Sequence, residues 1–148
     1  MRQLLAWAEG SPSASVYLAS LAVPDHRIEL KCDVAGLVPF RFSEDGNYLA
    51  AWTKAWETRD TLRVWNVETG QIVVSNNQRF PAACFAVGGR VLVVGIPRGT
   101  DHGIRFYDLA HPDRAPQDVQ GRNFSGHLAV SPDGGLVASS TGGGQIQL

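Results

Sequence analysis

The four histidines, His26, His102, His111 and His127, are the residues best suited to move a proton or hold a metal ion. None has a second His or a Cys at the short spacing that presents two ligands to one ion. Asp101-His102 supplies at most half of such a site and otherwise reads as a solvated loop pair. Cys32 and Cys84 both stand in apolar stretches, which predicts two buried free thiols. Gly142-Gly143-Gly144 precedes a strand pattern and not a helix, so it reads as a tight turn and not a phosphate loop. There is no Gly-x-Ser-x-Gly elbow. Asn123-Phe124-Ser125 has the form of a glycosylation sequon and is read as accidental. No catalytic residue, metal site or cofactor is expected from these patterns.

Recognition chemistry has a better candidate. The segment Thr53-Lys54-Ala55-Trp56-Glu57-Thr58-Arg59-Asp60 places an indole among polar groups, outside any strand pattern. Trp and Arg are the usual energetic centres of protein interfaces. Trp56 either folds back onto its own sheet or faces a partner, and the residues leave both readings open. Lys54, Arg59, Arg98, Asp101 and His102 would add mixed charge around it, or are ordinary solvated loop residues. Trp7, Trp52 and Trp65 sit in strand patterns, where core packing is expected.

The chain that must position these groups has 148 residues and a net charge of −1, from 13 basic and 14 acidic side chains. That balance leaves no footprint for nucleic acid or an anionic membrane surface. With 44% apolar and 18% charged residues, it is expected to fold. Sixteen glycines and eight prolines indicate many turns and few long helices. No apolar run reaches the ~18 residues of a spanning helix. The N-terminal apolar run is short and broken by Glu9, a poor signal peptide, so a cytoplasmic location is expected.

The order in the sequence is a repeat. Ser43-Glu44-Asp45-Gly46 returns as Ser131-Pro132-Asp133-Gly134, with the two glycines 88 residues apart. Midway stands a degenerate copy, Phe85-Ala86-Val87-Gly88-Gly89. Leu62-Arg63-Val64-Trp65-Asn66 is matched 42 residues on by Ile104-Arg105-Phe106-Tyr107-Asp108, and 42 further by Ile146-Gln147-Leu148. Short apolar segments begin two residues after each turn glycine, at Tyr48, Val91 and Leu136. The segment 61–67 alternates and is expected to be a half-buried strand. Each unit thus reads as a four-stranded antiparallel meander. One such sheet cannot bury both faces alone, so units must stack.

These residues resemble the WD40-repeat β-propeller family: Phe-Ser-Glu-Asp-Gly at 42–46, Ser-Pro-Asp-Gly at 131–134, Arg-Val-Trp-Asn-Val-Glu-Thr-Gly at 63–70, and a period of 42 to 45. The resemblance covers residues 34–148. It departs at Asn66, which follows Trp65, and at Tyr107, which stands where Trp is usual. The family often links His, Asp, Ser and Trp by hydrogen bonds within a blade. Asp101 has the spacing of the turn aspartate, but Arg59 and Gly143 take that place in the other copies, and Gly126-His127 falls too close to Ser131. Without a complete set, stability is expected to rest mainly on apolar packing.

The resemblance implies an all-β fold of β-propeller blades in an incomplete ring. A partial blade spans 1–33, whole blades span 34–76 and 77–120, and a truncated blade spans 121–148. It also implies that loops joining second and third strands, 53–60 and 96–102, lie on one rim and dock a protein partner. The expected function is a non-catalytic interaction scaffold, part of a larger propeller. The alternative is a fragment of a lactonase-like propeller hydrolase. Incomplete terminal blades are expected to self-associate or to bind the missing part of the ring.

Overall fold

The computed structural model describes residues 4–8, 15–34, 36–53, 61–78, 82–96, 103–120, 124–131, 133–141 and 144–148. Among them the fold is nearly all strand, with one short 3₁₀ turn at Val87–Gly89. No helix among the described residues is long and apolar enough to cross a membrane. The chain forms two compact units, residues 1–77 and 78–148.

The first unit holds two sheets. One contains β1 (Leu4–Ala8), β2 (Ser15–Ser20) and β3 (Val23–Lys31), in that order. The other contains β4 (Val38–Phe42), β5 (Tyr48–Trp52), β6 (Leu62–Asn66) and β7 (Ile72–Asn76), again in sequence order. Every pairing is antiparallel. The period of two in each strand divides its side chains between the faces. Val16, Leu18 and Leu30 from one sheet therefore meet Leu49, Ala51 and Trp65 from the other in one dry core. Trp65 is fully buried there, as its place in the strand pattern leads one to expect.

The second unit repeats the arrangement. β8 (Ala83–Ala86), β9 (Val91–Ile96), β10 (Gly103–Asp108) and β11 (Gln117–Gln120) form a four-stranded meander. β12 (Phe124–Val130), β13 (Val137–Thr141) and β14 (Ile146–Gln147) form a three-stranded one. Cys84, Ala86 and Val93 pack with Ile104 and Phe106, and Leu128, Val130 and Val137 of the next sheet close over them. Neither cysteine forms a disulfide among the described residues, and Cys84 is buried while Cys32 is half-buried.

The two turns that carry the repeat have the same geometry. Ser43 Oγ donates to Asp45 Oδ1 (2.6 Å) and accepts from the Tyr48 amide (2.9 Å), while the Gly46 amide donates to the Ser43 carbonyl (2.9 Å). Eighty-eight residues later, Ser131 Oγ donates to Asp133 Oδ1 (2.5 Å) and accepts from the Leu136 amide (2.9 Å), and the Gly134 amide donates to the Ser131 carbonyl (2.8 Å). Gly46 and Gly134 have φ of +73° and +74°, which glycine adopts without cost. The degenerate copy lacks the Ser and Asp, and Val87 there takes a φ of +52°.

One expectation needs correction. β6 is not half-buried: Leu62, Arg63, Val64 and Trp65 are all buried, so both of its faces are covered. An Arg within the strand disguised this, because arginine in an alternating pattern reads as pointing to water. Arg63 and the Trp65 N–H add directional bonds to the apolar packing of the first unit.

Candidate functional site

The loop carrying Lys54, Trp56 and Arg59 leaves its sheet through a fixed neck. The β5–β6 ladder closes with Trp52 opposite Leu62. One step further, the Thr53 amide donates to the Thr61 carbonyl (2.9 Å), and the Thr61 amide donates back to Thr53 Oγ1 (3.0 Å). Thr61 is buried, so these bonds are shielded from water. A second neck stands at the matching end of β9 and β10, where Ile96 pairs with Gly103. A Cβ on Gly103 would lie 3.1 Å from the Val119 carbonyl oxygen and 3.3 Å from Ile96 Cγ1, so the close approach favours glycine. Arg98, Asp101 and His102 lie beyond it in sequence. All six candidate residues, Lys54, Trp56, Arg59, Arg98, Asp101 and His102, lie outside the described residues.

Several charged groups within the described residues are engaged inside their own unit. The Arg63 guanidinium is buried and grips Asp33 through two bonds, Nε to Oδ1 and Nη2 to Oδ2, both 3.0 Å. Its Nη1 donates to Asn77 Oδ1 (2.8 Å) and to the Leu62 carbonyl (3.1 Å). The hydrogen bonds from Arg63 hold the Asp33 carboxyl at about 2, below its ordinary 3.8. Burial pushes the neighbouring Cys32 thiol up, away from a reactive thiolate. Arg105, the repeat partner of Arg63, pairs instead with Asp118 on the adjacent strand (2.7 and 2.9 Å), and that hydrogen bonding raises its pKa. Asp108 accepts from the Ala110 amide (3.1 Å), contacts His111 Nδ1 (2.9 Å) and accepts from Arg114 Nη1 (3.3 Å). The hydrogen bond with His111 holds the Asp108 carboxyl below the usual range. No three His, Cys, Asp or Glu side chains among the described residues converge as metal ligands.

A second surface, which the sequence did not single out, lies on the first sheet. Trp7 and Tyr17 are register partners and stack with ring centroids 5.8 Å apart and planes at 27°. The Arg27 guanidinium carbon sits 5.4 Å from the centroid of the Trp7 ring, a cation–π contact. Leu5 lies on the same face and is exposed. Trp7 is only half-buried, against the expectation of a core residue. The alternation of Leu5, Trp7 and Tyr17, Ala19 was the available signal, but it had no turn motif beside it.

Stacked antiparallel meanders of this kind are the blades of a β-propeller, and solved structures agree. The chain is similar to a eukaryotic initiation factor, at 21% identity and a TM-score of 0.68, over 97% of this chain and 37% of that one. It is similar to TolB from Acinetobacter baumannii, at 16% identity and a TM-score of 0.59, over 99% of this chain and 41% of that one. It is also similar to the β-propeller domain of the Trilobed protease from Pyrococcus furiosus, at 12% identity and a TM-score of 0.58, over 86% and 39%. The chain therefore spans less than half the length of each, and the likeness is one of fold. No family model and no curated protein sequence matches it.

Proposed function

We propose that this chain is a non-catalytic protein-interaction scaffold with WD40-type blades, forming part of a larger propeller. The observation that carries the reading is the Thr53–Thr61 neck, which fixes the base of a loop containing Trp56, Lys54 and Arg59. A recognition loop binds more tightly when its ends are held, because less conformational freedom is lost on docking. The Ile96–Gly103 neck supports the same role for the loop bearing Arg98, Asp101 and His102. The paired Ser-x-Asp-Gly turns, alike in hydrogen bonding at 88-residue spacing, support the WD40 comparison. Two cysteines outside any disulfide among the described residues accord with a reducing, cytoplasmic setting. The near-neutral charge favours a protein partner over nucleic acid or membrane.

The test is a partner trapped by photocrosslinking from position 56 and identified, followed by measured affinities for Trp56→Ala and Arg59→Ala. Each should weaken binding by tenfold or more, the order of a central interface residue, with the melting temperature nearly unchanged. A melting temperature several degrees lower makes Trp56 structural. Unchanged affinity removes this loop from the interface. Either result overturns the proposal.

A further inference from the structure

The sequence contains two Asp-Gly steps, Asp45-Gly46 and Asp133-Gly134, and no Asn-Gly. Glycine has no Cβ, so the amide nitrogen that follows the aspartate is open to approach its side chain. That nitrogen can attack the aspartate Cγ. The new N–C bond closes a five-membered succinimide, and the carboxyl OH leaves with the amide proton as water. A second water molecule then reopens the ring. Opening at the aspartate main-chain carbonyl leaves the chain running through the side-chain carbonyl, as isoaspartate. One water is lost and one regained. The mass is unchanged, no oxidant or cofactor is consumed, and the backbone gains one atom.

Both steps sit in turns of one design, which makes each the control for the other. The Gly46 amide donates to the Ser43 carbonyl (2.9 Å) and the Gly134 amide to the Ser131 carbonyl (2.8 Å). That bond must break before the nitrogen attacks, and it restrains the two steps alike. The carboxylates differ. Asp45 is held at both oxygens: Oδ1 accepts from Ser43 Oγ (2.6 Å) and the Asn47 amide (3.1 Å), and Oδ2 accepts from Asn47 Nδ2 (2.7 Å). Asp133 is held at one. Its Oδ1 accepts from Ser131 Oγ (2.5 Å) and the Gly135 amide (3.0 Å), while its Oδ2 has no hydrogen bond among the described residues. Gly135 stands 88 residues after Asn47 and has no side chain to supply one. The serines differ too: Ser43 is buried, and Ser131 is partly exposed.

We propose that Asp133-Gly134 is a site of spontaneous backbone modification, closing to the succinimide and reopening to isoaspartate, and that Asn47 shields Asp45 from the same reaction. The consequence follows from what surrounds the site. Gly134 lies so close to Val87 that a Cβ on it would stand 3.1 Å from the Val87 backbone N and Cα. An added backbone atom displaces Gly134 from that contact and from the Ser131 carbonyl, so the modified turn loses the geometry that leads into β13. The site is independent of the loop-borne partner of the preceding section, and Trp56→Ala should leave its reaction unchanged.

The native chain, held near neutral pH at physiological temperature and digested at intervals, tests it by mass spectrometry with fragmentation that separates isoaspartyl from aspartyl peptides of equal mass. Isoaspartate should appear at 133 about three- to tenfold faster than at 45, the factor that one further hydrogen bond adds to a barrier. In heavy-oxygen water the 133 peptide should take up label, because reopening the ring inserts a water oxygen. A Cβ at Gly135 would lie 3.5 Å from Asp133 Oδ1 and 3.6 Å from Oδ2, so an Asn side chain there reaches the free oxygen as Asn47 does at Asp45. Gly135→Asn should therefore slow 133 to the rate of 45, and Asn47→Gly should raise 45 to the rate of 133. In urea the two sites should react alike. Equal rates in the native chain overturn the proposal, as does an absence of isoaspartate at 133. A difference that persists unchanged in urea overturns it as well, because sequence and not the turn would then set the rates. If Gly135→Asn fails to fold by circular dichroism, Asn47→Gly decides: an unchanged rate at 45 removes the shielding on which the proposal rests.

Discussion

Asp33, in the connection between the first two sheets, holds the buried guanidinium of Arg63 by two parallel hydrogen bonds of 3.0 Å. The geometry is the planar fork that suits arginine to a carboxylate. Lysine could not reproduce it, nor could it also reach Asn77 and the Leu62 carbonyl. Asp33→Ala leaves a buried cation with fewer acceptors. It should destabilise the chain by about 1–3 kcal/mol, the range for a buried polar group stripped of its partner. Arg63→Lys should cost a comparable amount. Denaturant midpoints measure both, and a loss below about 0.5 kcal/mol would make the pair ornamental.

The same pair sets a pH dependence. Asp33 titrates at about 2 in the fold against an ordinary 3.8. Its folded value is depressed, so its contribution is complete above 3.8 and is lost as pH falls toward 2. Asp45 and Asp133 are also lowered, Asp45 against an opposing effect of burial and Asp133 chiefly by the Ser131 hydroxyl. The wild type alone cannot separate them. The difference between wild type and Asp33→Asn can: it should shrink through that acid window and stay constant above it. A difference that is flat throughout would mean that Arg63 does not prefer the charged carboxylate.

Trp65 joins the two sheets of its unit twice, by its buried ring and by its indole N–H, which donates to the Lys31 carbonyl at 3.2 Å. Trp65→Ala should cost about 3–5 kcal/mol, as large aromatic truncations in cores do. Trp65→Phe keeps most of the apolar contact and removes the donor, so about 1 kcal/mol of its loss belongs to the hydrogen bond. If the two variants melt alike, the ring contributes little and the bond carries the seam.

The blades were legible because their turns are local. Ser43, Asp45 and Gly46 act on one another within a few residues, so the same letters at 131–134 forecast the same hydrogen bonds. Arg63 was not legible, because its main partner Asp33 lies 30 residues away and no local pattern marks it. Arg105 also stands between two apolar residues yet pairs within its own sheet, because Asp118 stands opposite it where Ser75 stands opposite Arg63. The Trp7–Tyr17–Arg27 face was missed for a related reason: it depends on register between strands that carry no turn motif. For the candidate loops, the repeat placed the necks at Thr53–Thr61 and Ile96–Gly103. Repetition says nothing about loop side chains, which differ from copy to copy.

The degenerate turn offers the last prediction. Val87 takes a φ of +52°, a region that costs a β-branched residue about 1–2 kcal/mol. Its side chain is half-exposed, so little burial is lost on removing it. Val87→Gly relieves the strain and adds about 0.5–1 kcal/mol of unfolded-state freedom. The net effect should be a gain of up to about 1 kcal/mol. Gly134 lies against this residue from the last sheet's turn. A Cβ there would come within 2.9 Å of Val87 Cγ2 and 3.1 Å of the Val87 backbone N and Cα. Gly134→Ala combines that crowding with a φ of +74°, and should cost more than about 2 kcal/mol. The two variants combined separate the causes. In the Val87→Gly background the side-chain contact is gone but the backbone contact remains. Gly134→Ala should therefore stay costly in chemical melts of the double variant. If its penalty falls to that of a left-handed alanine alone, about 1 kcal/mol, the crowding came only from the Val87 side chain, and the two turn backbones do not constrain each other.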